Sequence, residues 1–145
     1  MPSSSHQWLL LWIGRKMAAD GFVVAGCDGS MPQGGLWNFL PRPPEFAGVR
    51  PDACGLSVGT GEYAFGEAKT SQDINTVHTR MQLRVFGHLT NRNDRMPCRL
   101  YVAVPRSAAR DLDRVLKQVG LLGARHVVRL HVPDCLIEET SNERA

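Results

Sequence analysis

Hydrophobic and polar positions change rhythm several times along this chain, and each change marks an element. Trp8 to Ile13 is apolar without a break, and the pattern turns amphipathic towards Asp20. Ser3 to Ser5 can cap its start and Asp20-Gly21 can end it, which predicts a helix over residues 5–20. A short β-branched run, residues 22–25, reads as a strand. Residues 26–48 hold four prolines and five glycines with scattered aromatics, and fit a long loop of the functional or mobile kind. Two strands follow, residues 49–57 and 63–70, joined by the turn chemistry of Val58-Gly59-Thr60-Gly61-Glu62 into an antiparallel hairpin. Asp73 is the expected cap of a helix over residues 74–89. Residues 91–97 are a polar turn, and residues 99–104 a buried-type strand that stops at Pro105. Ser107 is the expected cap of the next helix, where Leu112, Val115, Leu116 and Val119 fall at helical spacing. Gly120 ends it, residues 126–132 form a last strand, and residues 140–145 read as a frayed tail.

The order is α-β-β-β-α-β-α-β. Its final strand–helix–strand unit calls for parallel pairing, and the hairpin before it makes the sheet mixed. The fold class is therefore α/β: a mixed β-sheet flanked by helices, an α-β-β-β-α-β core followed by an extra helix and strand.

Composition narrows the class. With 145 residues the chain has room for one domain, expected over residues 1–139, and its 43% hydrophobic and 21% charged residues argue against disorder. The longest apolar run is too short to span a bilayer, and it lacks the basic flank and cleavage site of a signal peptide. No membrane partner is expected. Cys27, Cys54, Cys98 and Cys135 contain no C-x-x-C pair, which excludes the usual zinc frameworks and argues against a disulfide scaffold. A reduced, cytoplasmic protein is the expectation.

The net charge of +3 permits an anionic partner without demanding one. Only Lys16, Lys69 and Lys117 are lysines; the other 14 of the 17 basic residues are arginines. Arginine suits bidentate phosphate recognition, and a GC-rich genome gives the same bias. In so lysine-poor a chain the place of each lysine is informative.

The stretch with most chemistry is Arg50-Pro51-Asp52, followed fifteen residues later by Glu67-Ala68-Lys69. Alternation along a strand sends Glu67 and Lys69 to one face and Ala68 to the other. If the hairpin closes across its glycines, Asp52 lies at the same end as Glu67 and Lys69. Carboxylates held close repel one another until a proton or cation relieves them, and oxygen ligands suit Mg²⁺ or Mn²⁺. Such a cation can activate water and offset phosphoryl charge, and Lys69 can orient that water. A solvated ion-pair face would carry the same three residues.

Pro51-Asp52 with Glu67-Ala68-Lys69 resembles the PD-(D/E)XK nuclease superfamily, among its small resolvase- and exonuclease-type members. The superfamily core has the element order read above. The resemblance covers about residues 49–132. It implies that Asp52 and Glu67 bind the metal, that the Ala68 carbonyl completes the site, and that Lys69 is the catalytic lysine. Gln82 and Phe86, four apart, look like the Q-x-x-x-Y helix motif with Phe for Tyr, which makes Gln82 a catalytic-site residue. Phe86 taken alone reads as core. His78 one turn earlier, Arg80 and Arg84 beside it, and Arg50 are candidate contacts to nucleic acid. Many relatives carry a glutamate on the first helix, where this chain offers only His6, Gln7 and, at the far end, Asp20.

The implied function is a Mg²⁺- or Mn²⁺-dependent nuclease hydrolysing phosphodiester bonds in DNA, with RNA as the other substrate class. The alternative is a module of the same fold that binds nucleic acid or assembles with partners without cleaving. A chain this small needs a homodimer to cut two strands at once. Trp8 and Trp12 read as core, or as a dimer interface if exposed. Trp37, Phe39 and Arg42 on the long loop suit base stacking or a lid, and Cys54, on the Asp52 side of its strand, a small buried site.

Overall fold

The computed structural model describes residues 3–137; the expected tail at 140–145 lies outside them. Its elements are α1 (Ser4–Ala19), β1 (Val23–Cys27), β2 (Ala53–Leu56), β3 (Tyr63–Ala68), α2 (Val77–Phe86), β4 (Arg99–Pro105), α3 (Ala109–Gln118) and β5 (Val127–Val132), with short 3₁₀ turns at Gly35–Phe39 and Arg106–Ala108. The strands lie in chain order in one mixed sheet. β1, β2 and β3 pair antiparallel, and β3, β4 and β5 pair parallel. The α/β class, the mixed sheet and the single domain are all present.

Alternation along β3 and β4 divides the core into two layers. Ala53, Ala64, Ala68, Tyr101 and Ala103 face α1, against Leu9, Leu10, Ile13 and Met17. Phe65, Leu100, Val102 and Val104 face α2 and α3, against Leu83, Phe86, Leu112 and Leu116. On β3 the α1 side is built from small residues, Ala64, Gly66 and Ala68, so the helix sits close to it. A Cβ at Gly66 would stand 2.6 Å from Ile13 Cγ2. Trp8 and Trp12 are partly buried and pack on this layer, which makes them core-side residues.

Several boundaries move for identifiable reasons. Ser3 caps α1 as expected, accepting from the His6 N–H at 3.2 Å, and Gly21 follows the helix at φ +94°. α2 starts at Val77 with Thr76 as its cap, where residues 74–89 and Asp73 were expected. Asp73 is committed elsewhere: its carboxylate accepts from Thr70 Oγ1, and its carbonyl from the Thr76 and Thr79 hydroxyls. Ser107 does not cap α3. It lies in a 3₁₀ turn, and its N–H and hydroxyl both donate to Asp134. The long segment after β1 holds a 3₁₀ turn in which the Asn38 side chain bonds both the N–H and the carbonyl of Met31. β2 is shorter than residues 49–57, because Val49 bridges back to Phe46 instead of joining the sheet.

At the end of the sheet remote from the Asp52 site, one carboxylate ties α1 to β4. Asp20 accepts from Tyr101 Oη at 2.7 Å and Lys16 Nζ at 2.9 Å, with Arg99 Nη1 at 3.7 Å. Burial alone would raise this carboxyl, but the bonds from Tyr101 and Lys16 and the Arg99 charge hold it below the usual range. A lowered carboxyl stabilises the fold at pH values above its unfolded value, near pH 4, and that contribution is lost as the pH falls through the folded value. Asp20→Asn is expected to cost about 1–3 kcal/mol in urea unfolding at pH 7, with the gap to wild type closing at pH 3. Equal stabilities at pH 7 would remove this network from the fold's support.

Burial pushes the Cys27 thiol up to about 12, with the Asp52 charge adding to it, and the Cys98 thiol up to about 11. Burial raises Cys54 as well, whereas Cys135 is exposed. A thiol reagent at pH 7 should therefore modify Cys135 quickly in the native protein and the other three only after unfolding. Rapid labelling of Cys27 would contradict the packing described.

Candidate active site

The residues of the Pro51-Asp52 and Glu67-Ala68-Lys69 stretches come together at the carboxyl end of β3. Asp52 immediately precedes β2, and its N–H donates to the Gly66 carbonyl at 3.0 Å. This pairing across the hairpin sets the Asp52 side chain over the end of β3. Its Oδ2 accepts from the Ala68 N–H at 2.8 Å and from His6 Nε2 at 3.2 Å. Oδ1 is left for another partner.

Glu67 shares the α2-facing side of β3 with Phe65 and Lys69, and it is wholly buried. Neither Oε1 nor Oε2 has a hydrogen-bond partner among the described residues. Lys69 Nζ stands 3.6 Å from Oε2, an ion-pair distance, and donates its hydrogen bond to Gln82 Oε1 on α2. Burial, and after it the nearby Asp52 charge, push the Glu67 carboxyl well above the ordinary range, while Lys69 pulls the other way. Lys69 and Gln82 are themselves 8% and 7% exposed. Glu67, Lys69 and Gln82 therefore form a buried polar group between β3 and α2, with the half-buried Asp52 at its edge.

A solvated ion-pair face does not describe this arrangement. A buried carboxylate costs several kcal/mol unless it is paired and hydrogen-bonded, and Glu67 is only partly compensated. Its two oxygens, without a hydrogen bond among the described residues and beside Asp52, are what a divalent cation would satisfy. The donor set of two carboxylates and the Ala68 carbonyl suits Mg²⁺ or Mn²⁺, with water in the remaining positions. Among the described residues no three His, Cys, Asp or Glu side chains form a ready-made metal cluster.

Asp52 faces a cavity of about 800 Å³ at the carboxyl ends of β1, β3, β4 and β5, and Glu67 is not in its lining. Clefts at this end of open α/β sheets are their usual ligand sites. The wall includes His6 from the first turn of α1, Asp28 after β1, residues 70–73 after β3 and Asp134 after β5. Ser107 holds Asp134 ionised, below the usual carboxylate range, and Asp28 pairs with Arg42 at 3.1 Å. His6, Asp28 and Asp134 were not expected as site residues. Their common signal is position, at a helix start or directly after a strand.

The expected nucleic-acid contacts divide. Arg50 donates to the Pro43 carbonyl and to Glu45, and Arg80 to Gln118 and Asn75, so both serve the fold. Arg84 and His78 are exposed. His78, in the first turn of α2, stands clear of the core in which Gln82 and Phe86 are buried with Thr79 and Leu83. Phe86 stacks on Phe65 with ring centres 5.7 Å apart, a core role.

The raised Glu67 carboxyl gives a signed expectation. Between its unfolded value, near pH 4.5, and its folded one, the native state binds more protons than the unfolded state, so stability falls as pH rises. Glu67→Gln should melt above wild type at pH 8, with the difference shrinking towards pH 4. A lower melting temperature for Glu67→Gln at pH 8 would contradict this reading.

Comparison of the chain with protein-family models, with curated proteins and with solved structures gives no match in any of the three.

Proposed function

We propose that this protein is a Mg²⁺- or Mn²⁺-dependent nuclease that hydrolyses phosphodiester bonds in DNA. The observation that carries the reading is the Glu67 carboxylate, wholly buried with neither oxygen hydrogen-bonded among the described residues and Lys69 at ion-pair distance. A fold rarely keeps such a group without a function for it. A cation held by Asp52, Glu67 and the Ala68 carbonyl would lower the pKa of bound water and offset charge on the phosphoryl group.

The chain's own residues supply the rest. The Ala68 N–H and His6 fix the Asp52 carboxylate through Oδ2, so Oδ1 keeps one orientation. Gln82 holds the Lys69 ammonium by one of its three donors, and Glu67 draws it inward. A donor remains to orient an attacking water or meet a phosphate oxygen. Gln82 is thus a positioning residue acting through Lys69.

One observation favours the second reading, a module of the same fold that binds nucleic acid or a partner without cutting. Glu67 does not line the cavity that Asp52 faces. Retained catalysis requires substrate or cation to reach it past Asp52 and His6.

The deciding experiment incubates supercoiled plasmid and linear single- and double-stranded DNA with the protein and Mg²⁺ or Mn²⁺. EDTA, Lys69→Ala and Asp52→Asn serve as controls. Cleavage is expected with metal, abolished by EDTA and reduced at least about 10²-fold in both variants. Thermal melting reports on the metal independently: Mn²⁺ should raise the melting temperature of wild type but not of Glu67→Gln. No cutting by folded wild type under any condition transfers the assignment to the non-cleaving module.

A further inference from the structure

The cavity at Asp52 is poorly suited to attract a polyanion. Asp28, Asp52, Asp73 and Asp134 line it, and no lysine or arginine does among the described residues. A second cavity, of about 410 Å³, has the opposite character. It lies between α1 and β5, its walls include Trp12, Arg15, Lys16, Arg129 and His131, and no carboxylate lines it. Pro133 lines it, and the next residue along the chain, Asp134, lines the first cavity.

The groups in this groove suit a single nucleic-acid strand. The Arg15 guanidinium lies over the Trp12 ring at 5.3 Å from its centre. Its hydrogen bond goes to the neutral Gln33, and among the described residues no carboxylate pairs with it. The His131 side chain is exposed, has no hydrogen-bond partner among the described residues, and stands with Arg129 on the α3 side of the β5 edge, alternating with Leu130 and Val132 that face α1. Lys16 and Arg129 are paired with Asp20 and Asp113, and add to the field more than to contacts. β5 is an edge strand, so alternate N–H groups along it point away from the sheet and can donate to phosphates. A positive groove with an aromatic platform is the usual physics of single-strand binding: the charges follow the backbone, and the ring and guanidinium stack on unpaired bases.

We propose that the α1–β5 groove binds single-stranded nucleic acid and leads it to the cavity at Asp52. The destination rests on the nuclease reading; the binding does not. Charge is then divided between two adjoining places, negative where a cation is held and positive where the polyanion is held. The binding face lies on α1 and β5 rather than on α2.

The test is fluorescence anisotropy of labelled oligothymidylate with the full chain in EDTA, over a series of salt concentrations. Arg15→Gln with His131→Ala should weaken binding about tenfold or more, and lower the slope of log affinity against log salt by about one per lost phosphate contact. Arg125→Gln, on the exposed loop before β5, should leave both unchanged. Tryptophan quenching on binding should vanish in Trp12→Phe and persist in Trp8→Phe. Thermal melts confirm that each variant is folded. Unchanged affinity and slope in the Arg15/His131 variant overturn the proposal, as does a loss confined to Arg84→Gln. Binding of polyglutamate in place of the oligonucleotide would assign the groove to an acidic protein partner instead. Groove-dependent binding without cleavage would remove the nuclease and keep the groove; cleavage with groove-independent binding would do the reverse. No binding by wild type overturns the groove and leaves the nuclease reading to the cleavage assay.

Discussion

Side-chain alternation along β3 forces a choice between burying a charge and losing a core. The strand is covered on both faces, by α1 and by α2 with α3, so no position along it after Tyr63 reaches water. Its small residues Ala64, Gly66 and Ala68 let α1 approach closely. The opposite parity carries Phe65, then Glu67, and Lys69 just beyond the strand. A carboxylate at that parity is driven inside by the same packing that builds the core, and it arrives with few partners. The Lys69–Gln82 bond, the nearness of Asp52 and the contact of α1 through His6 follow from where that carboxylate lies.

The fold was legible because the signals were local and agreed. Ser3 and Asp20-Gly21 bracketed α1, the β-branched run at residues 22–25 marked β1, the buried-type run at residues 99–104 marked β4, and the helical spacing of Leu112, Val115 and Leu116 marked α3. The errors fell where a side chain had a better partner far along the chain. Ser107 looks like a helix cap in sequence, but its N–H and hydroxyl are taken by Asp134, 27 residues on. Asp73 looks like a cap as well, and is used instead to organise the turn before α2. No local rule reports on such competition.

The site was half legible. Asp52, Glu67 and Lys69 lie at one end of the hairpin as their spacing implied, and Gln82, drawn in by the resemblance alone, meets Lys69 from the following helix. His6, Asp28 and Asp134 were not found, since they are brought in by the ends of elements that meet only in the folded sheet. Arg50 and Arg80 illustrate the converse: an arginine in sequence carries a charge, but whether that charge is free depends on tertiary partners. Both are engaged within the fold, whereas Arg15, adjacent in sequence to ordinary helix residues, has no carboxylate partner among those described.

The cavity at Asp52 has a bearing on how the protein is made. Ser3 and Ile137, at the two extremes of the described chain, both line it, and Asp134 is fastened to Ser107 across the same rim. During synthesis the hairpin that carries Asp52 and Glu67 is made well before β5. The wall around it cannot close until the turn after β5 has left the ribosome and docked. The pocket therefore stays open-walled until the segment after β5 is in place, an order of assembly set by which parts of the chain build its wall.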